Sequence, residues 1–160
     1  MKLLKTILIS TILLTTFATA ENYEVSLTRK GSNFYQINYK NMFVQTNYCY
    51  EYAYSEDSIL KLNGAYSSEV IFLDNKSRCD IKAIFAEANQ NAGKYSVTVS
   101  REEDDWYEIW GEDMFIKTSS CLNLALSDKA VLDISSSGYG TLYFDDDECM
   151  VEGIYAKQRL

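Results

Sequence analysis

Residues 33–49 read NFYQINYKNMFVQTNYC, and residues 105–121 read DWYEIWGEDMFIKTSSC. At this spacing of 72 residues the two stretches share Tyr35/Tyr107, Ile37/Ile109, Met42/Met114, Phe43/Phe115, Thr46/Thr118 and Cys49/Cys121. The match extends outward from Tyr23/Tyr95 to Ala86/Ala156, with a deletion of two residues before Cys79/Cys149. We call residues 23–86 the first copy and residues 95–156 the second copy. A unit that occurs twice in one chain predicts two similar structural modules.

Hydrophobic alternation within each copy predicts β-strands. Tyr23, Val25 and Leu27 alternate with polar residues, as expected for a pleated, half-buried surface. In the first copy we expect strands near 23–29, 34–38, 42–46, 48–54, 59–63, 69–73 and 80–86, some of them merged. A short helix capped by Ser55 or Ser127 is the alternative for the segment that follows each of these residues. We favour strands there, because the period of two at Leu60 and Leu62 recurs in the second copy.

The fold class is therefore predicted as all-β, with two tandem small β modules packed as a pseudo-symmetric pair. Module 1 covers residues 21–87, a polar linker covers residues 88–94, and module 2 covers residues 95–160. Modules of about 65 residues are marginal in size, so each one needs a covalent constraint or a packed interface.

The four cysteines predict the covalent constraints. Four cysteines allow three pairings, but each copy holds one pair, so we expect Cys49–Cys79 and Cys121–Cys149. Each bridge closes a loop of about 30 residues and stabilises its module by roughly 2–4 kcal/mol. A structural metal site is disfavoured, because the chain has no histidine and no C-x-x-C spacing.

The first 20 residues have the pattern of a secretory signal peptide. Lys2 and Lys5 precede an apolar run at residues 7–17, and Ala18 and Ala20 give the small-x-small cleavage pattern. The run is shorter than the ~20 apolar residues that span a bilayer. We expect cleavage after Ala20, export to the periplasm or secretion, and no membrane span.

Negative charge is concentrated in the second copy. The first copy has 7 basic and 7 acidic residues, whereas the second copy has 3 basic and 14 acidic residues. The simplest interpretation is solubility, since like-charged loops keep an exported protein dispersed. The functional interpretation is a docking face for a cationic protein, because such a field accelerates encounter and sets specificity. Nucleic acid is excluded as a partner, because phosphates require basic patches.

Two kinds of residue are predicted to form this docking face. Acidic clusters would steer the partner, and exposed aromatic residues would anchor it. The predicted binding residues are Glu102, Glu103, Asp104, Asp105, Trp110, Tyr66, Tyr139, Asp145, Asp146, Asp147 and Glu148. Trp106 is expected to be packed. Calcium at residues 145–148 is a weaker alternative, because the spacing lacks the alternating ligands of a calcium loop.

Four tyrosines alternate along residues 48–54 and could form a binding platform for a sugar or a protein. The second copy has Leu122, Leu124 and Leu126 at the positions of the last three. Because leucine at these positions indicates a buried face, we predict a core strand here rather than a platform.

The sequence favours a non-enzymatic protein without a cofactor. Without histidine, neither a Ser-His nor a Cys-His pair is available. Ser58 and Lys61 fit S-x-x-K by spacing, but that motif requires a helical turn. The leading hypothesis is an exported protein that binds and inhibits a cationic protein, such as a cell-wall hydrolase, a lysozyme or a delivered toxin. The alternatives are a structural or accessory envelope protein and, third, a carboxylate-dependent enzyme.

Overall fold

The computed structural model describes residues 21–64 and 66–159, and the predicted signal peptide lies outside these residues. The described chain consists of β-strands and their connections, which confirms the all-β prediction. The strands are β1 (Glu21–Arg29), β2 (Phe34–Ile37), β3 (Met42–Thr46), β4 (Glu56–Leu62), β5 (Glu69–Phe72), β6 (Arg78–Glu87), β7 (Gly93–Glu103), β8 (Trp106–Ile109), β9 (Met114–Ser119), β10 (Asp128–Ile134), β11 (Gly140–Tyr143) and β12 (Glu148–Lys157). Residues 21–64 and 66–159 include no helix of the length and apolarity needed to cross a bilayer.

Strands β1 to β6 form a closed six-stranded antiparallel barrel, and the other six strands lie outside it. In the barrel, β1 pairs with β2 and β4, β6 pairs with β3 and β5, and the β2–β3 and β4–β5 pairs complete the ring. The same pattern recurs in the second copy. There β7 pairs with β8 and β10, β12 pairs with β9 and β11, and β8–β9 and β10–β11 also pair. The antiparallel pairing of β6 with β12 joins the two sets of strands.

The segments that follow Ser55 and Ser127 are strands, β4 and β10, and not helices. The backbone conformation of the two serines gives a physical reason. Ser55 has a φ of 52° and Ser127 a φ of 60°, both in the left-handed region. A helix N-cap residue instead has a β-region conformation, so neither serine can begin a helix in this geometry.

The disulfides are formed within each copy, as the repeat predicted. Cys49 is bonded to Cys79 with a Cα–Cα distance of 5.7 Å, and Cys121 is bonded to Cys149 with a distance of 5.2 Å. Each bridge lies within the apolar core of its own copy. Each bridge therefore adds a covalent constraint to the small apolar core of its own copy.

A third apolar cluster lies between the two copies and consists largely of aromatic rings. Phe34 stacks on Trp106 with ring centroids 4.6 Å apart and planes inclined by 7°. Trp106 is 3% exposed, in agreement with its predicted packing. The cluster comprises Phe34, Phe43, Ala83, Phe85, Trp106, Phe115 and Tyr155. The two copies therefore share an apolar interface in addition to the β6–β12 hydrogen bonds.

The predicted core strand at residues 48–54 is wrong. These residues form an unpaired segment, and Tyr48, Tyr50, Tyr52 and Tyr54 are 87%, 64%, 80% and 77% exposed. The side chains that enter the barrel are instead those of Cys49 and Ala53, each 3% exposed. The alternation was correctly recognised, but the small residues occupy the buried face and the large ones face solvent.

Candidate docking surface

Two extended segments carry their large apolar side chains on the outside of the protein. We call residues 48–54 the tyrosine arm and residues 120–126 the leucine arm. In the leucine arm, Leu122, Leu124 and Leu126 are 82%, 78% and 81% exposed, while Cys121 and Ala125 are 3% exposed. Leucine side chains at this exposure are costly in water, and contiguous exposed apolar residues mark interaction sites.

The backbone is extended along each arm and turns sharply at both ends. Residues 121–125 have neither turn nor bend conformation. Ser120 and Ser127 have φ values of 54° and 60°, and Tyr48 and Ser55, at the equivalent positions, have values of 50° and 52°. Left-handed residues therefore mark the beginning and the end of each arm, and the chain between them is straight.

Three hydrogen bonds attach the inner edge of the leucine arm to the second copy. The Cys121 N–H donates to Asp105 Oδ1 at 2.9 Å, the Tyr107 hydroxyl donates to the Asn123 carbonyl at 2.6 Å, and the Arg101 N–H donates to the Ala125 carbonyl at 2.8 Å. All three bonds involve the odd-numbered residues of the arm. The Asp105 and Tyr107 side chains therefore form two of the backbone hydrogen bonds that a neighbouring strand would otherwise form.

The outer edge of the leucine arm has no such contacts. Within the described part of the chain, neither the N–H nor the C=O of Leu122 and Leu124 has a hydrogen-bond partner. In an extended chain, the polar groups of successive residues point to opposite edges. The even-numbered residues therefore present their backbone donors and acceptors to solvent, on an arm that also exposes their leucine side chains.

A turn with four consecutive acidic residues lies close to the leucine arm. We call residues 145–148 the acidic hairpin; all four are exposed, and the Phe144 N–H donates to the Asp147 carbonyl at 2.8 Å. The disulfide from Cys149 to Cys121 connects the end of this hairpin to the start of the arm. Burial raises the pKa of the Tyr107 hydroxyl, and the carboxylates of Asp105 and Asp147 raise it further.

The four acidic residues at positions 102–105 have partners inside the protein. Glu102 forms an ion pair with Lys82 and accepts a hydrogen bond from Gln45 Nε2 at 3.2 Å. Glu103 Oε1 accepts from the Asn33 N–H at 2.7 Å, and Asp104 Oδ2 accepts from the Ser32 N–H at 3.1 Å. Asp105 binds the leucine arm. Three of these four predicted steering residues thus connect the second copy to the first.

The Glu102 carboxyl shows the electrostatic effect of this contact. Partial burial opposes its ionisation, but the Lys82 ammonium and the Gln45 amide outweigh that effect and lower the pKa of Glu102 below its ordinary value. Glu102 is therefore held in the charged form against the first copy.

The three predicted aromatic anchors lie in three different turns. Trp110 is 59% exposed and donates from Nε1 to Ser100 Oγ at 2.8 Å. It follows Ile109, which pairs with Met114, and Met114 pairs with Ala156 at the far end of β12 from Glu148. Ala156 is eight residues further along β12 than Glu148, a distance of roughly 25 Å, so Trp110 is remote from the acidic hairpin.

Tyr66 and Tyr139 are also exposed, at 104% and 60%. Tyr66 belongs to the β4–β5 connection of the first copy, and Tyr139 lines a cleft of about 530 Å³ between the copies. Lys30, Asp104, Lys117 and Glu152 also line this cleft, and Lys117 pairs with Glu152. The structure therefore does not bring the predicted anchors together around the acidic hairpin.

The leucine arm is absent from the predicted site residues, although the sequence contains a signal for it. Cys121 is expected to be buried because it is disulfide-bonded. In an extended chain, neighbours of opposite parity must then face away from the core. Leu122 and Leu124 are one and three residues from the buried Cys121, so this alternation predicts that both are exposed, whereas leucine composition alone predicts burial.

Comparison with known proteins gives no relative for this chain, since no family model, no curated protein and no solved structure matches it.

Proposed function

We propose that this protein is an exported, non-enzymatic binding protein that docks and inhibits a cationic protein. A cationic cell-wall hydrolase, lysozyme or delivered toxin fits this proposal. The observation that carries the proposal is the position of three exposed leucines on a fixed arm beside the acidic hairpin. Apolar area with a charged rim is the usual composition of a protein interface.

The two parts of this surface contribute in different ways. Burial of three leucine side chains provides on the order of 5 kcal/mol before the entropic costs of association. The carboxylates of residues 145–148 attract a cationic partner from a distance and disfavour an anionic one. We therefore narrow the docking face to the leucine arm and the acidic hairpin, assign Glu102, Glu103 and Asp104 to the contact between the copies, and assign Asp105 to the support of the leucine arm.

The relation of the two copies supports this division of roles. Ala86 lies opposite Ala156, and Phe34 stacks on Trp106; both pairs consist of equivalent residues in the repeat. We propose a pseudo-two-fold pair of modules, in which the first copy forms half of the scaffold and the second copy provides the docking face.

A carboxylate-dependent enzyme is the candidate that one further observation favours. Burial raises the pKa of Glu56, the nearby carboxylates of Asp74 and Glu51 raise it too, and Glu56 Oε1 is buried without a hydrogen-bond partner. Glu56 is only 9% exposed, however, so a substrate has little access to its carboxyl group. We rank this function below binding. A structural envelope protein is the other alternative, and it predicts a partner on the first copy with weak salt dependence.

The test uses mature protein, residues 21–160, to capture partners from envelope and culture extracts at low salt, with elution by increasing salt. Each purified partner is then titrated against the wild type and against Asp145→Asn/Asp146→Asn. The matched control is Glu112→Gln/Asp113→Asn, which removes the same charge in the β8–β9 turn. We expect at least tenfold weaker binding at low salt for the hairpin variant and less than a twofold change for the control. Equal effects of the two variants would show that only net charge matters.

A further inference from the structure

The outer edge of the leucine arm is a β-strand edge that lacks its neighbour. Its inner edge is occupied by Asp105, Tyr107 and Arg101, while Leu122 and Leu124 direct their backbone N–H and C=O groups away from the core of the second copy. An unpaired, straight edge of this kind is a template for an added strand. Building on the proposed function, we infer that the cationic partner contributes an extended segment that pairs with this edge as an additional β-strand.

The arm is already in the conformation that such pairing requires. A disulfide at Cys121 and three hydrogen bonds hold residues 121–125 straight, and left-handed residues at Ser120 and Ser127 end the segment on both sides. A binding edge that is ordered beforehand loses little conformational entropy when its partner binds. The bound segment would therefore bear most of the ordering cost.

The tyrosine arm has the same attachments but a less available edge. Its inner edge is held by Asn33, Tyr35 and Arg29, the equivalents of the residues that hold the leucine arm. On its outer edge, the Tyr50 carbonyl accepts a hydrogen bond from Arg29 Nη1 at 3.3 Å. The arm thus carries a guanidinium group at a carbonyl that an added strand would need. It provides an internal control for the leucine arm.

The charge around the leucine arm determines which strand fits. The acidic hairpin beside the arm favours a segment with basic side chains. The exposed Leu122, Leu124 and Leu126 favour apolar side chains between the basic ones. If two molecules of this protein paired through their leucine arms, their second copies would meet, each with 14 acidic and 3 basic residues. The repulsion between these charges opposes self-pairing. The preferred occupant is an extended segment with alternating basic and apolar residues.

The experiment titrates mature protein with a capped heptapeptide, Lys-Val-Lys-Val-Lys-Val-Lys, at low salt. A second peptide carries N-methyl groups on alternate residues along one edge, and a third carries them along the other edge. N-methylation removes backbone donors without changing charge. We expect one N-methylated peptide to bind at least tenfold more weakly than the parent peptide. Loss of parent-peptide binding in Leu124→Pro, but not in the matched Tyr52→Pro, places the pairing on the leucine arm.

Several outcomes would overturn the inference, and the N-methylated peptides on wild-type protein keep the test valid if Leu124→Pro does not fold. Equal affinity of all three peptides means that charge alone acts, which leaves the proposed docking function intact. No measurable binding of the parent peptide also rejects strand pairing. A concentration-dependent dimer that is abolished by Leu124→Pro would show that this edge pairs with another molecule of the same protein. Binding to phosphatidylcholine vesicles abolished by Leu124→Ser would assign the leucines to a lipid surface. Only insensitivity of protein partners to the hairpin substitutions would contradict the proposed function itself.

Discussion

Ala86 lies directly opposite Ala156 where β6 pairs with β12, and these two alanines are equivalent positions of the repeat. The flanking pairs are Phe85 with Lys157 and Glu87 with Tyr155, so each contact recurs with the copies exchanged. The rings behave in the same way, since Phe43 contacts Tyr155 and Phe115 contacts Phe85. These recurring contacts support the proposed pseudo-two-fold pair of modules, since a two-fold interface uses the same surface on both partners.

Trp106 is expected to be the largest single contributor to this interface. It stacks on Phe34 and also contacts Phe43, Phe85 and Tyr155. Trp106→Ala leaves a cavity in a closely packed cluster and is expected to lower the free energy of unfolding by about 3–5 kcal/mol. Urea unfolding, followed by circular dichroism, measures this change.

The control for this variant is Trp110→Ala, which removes an equally large side chain at an exposed position. We expect it to cost less than about 1 kcal/mol. A similar cost for both substitutions would mean that the aromatic cluster contributes no more than surface contacts do.

The Glu102 carboxylate is expected to make the contact between copies sensitive to acid. Its pKa is lowered in the folded protein, whereas it is about 4.3 in an unfolded chain. The stabilisation is therefore fully present above pH 5 and is lost as pH falls through the folded-state pKa. The difference in unfolding free energy between wild type and Glu102→Gln should be largest near neutral pH and should shrink towards pH 3. Urea titrations at a series of pH values measure it, with the exposed Glu112→Gln as control; a pH-independent difference would contradict the ion pair with Lys82.

The repeat accounts for most of what could be predicted from the sequence. One cysteine pair in each copy was enough to select Cys49–Cys79 and Cys121–Cys149. The positions of the acidic residues were visible, but their roles depend on which loops meet in space. Glu102 and Glu103 resemble solvent-exposed steering charges in the sequence, and only tertiary contact shows them bound to Lys82 and Asn33. The exposure of the leucine arm follows from its alternation with the buried Cys121, because leucine composition by itself indicates burial.

The two disulfides are expected to contribute similarly to stability and differently to binding. Their cysteines are 30 and 28 residues apart, so the loop-closure model predicts about 2–4 kcal/mol for each. Cys49→Ser/Cys79→Ser and Cys121→Ser/Cys149→Ser should show similar losses in urea unfolding. Only Cys121→Ser/Cys149→Ser should weaken the binding of a cationic partner to the leucine arm, because only this disulfide connects the arm to the acidic hairpin. An equal loss of partner affinity in both variants would contradict this assignment.

The Tyr107 hydroxyl is expected to hold the leucine arm in place. It donates to the Asn123 carbonyl at 2.6 Å and lies 2.9 Å from Cys121 Sγ. Tyr107→Phe removes the donor and leaves that carbonyl without its partner, at a cost of about 1–2 kcal/mol. Because the contact is local, hydrogen exchange should accelerate most at the Cys121 amide, which donates to Asp105, and at the Arg101 amide, which donates to the Ala125 carbonyl. Tyr35→Phe is the matched control, since the Tyr35 hydroxyl donates to the Glu51 backbone carbonyl in the tyrosine arm at 2.9 Å.

Burial raises the pKa of Tyr35 to about 12, so its hydroxyl remains a donor throughout the neutral range. The stabilisation from this hydrogen bond should disappear only between pH 10 and 12. If Tyr107→Phe and Tyr35→Phe each accelerate exchange only at the amides that attach their own arm, the two hydroxyls act as separate anchors; uniform acceleration across both copies would show that they act on global stability instead.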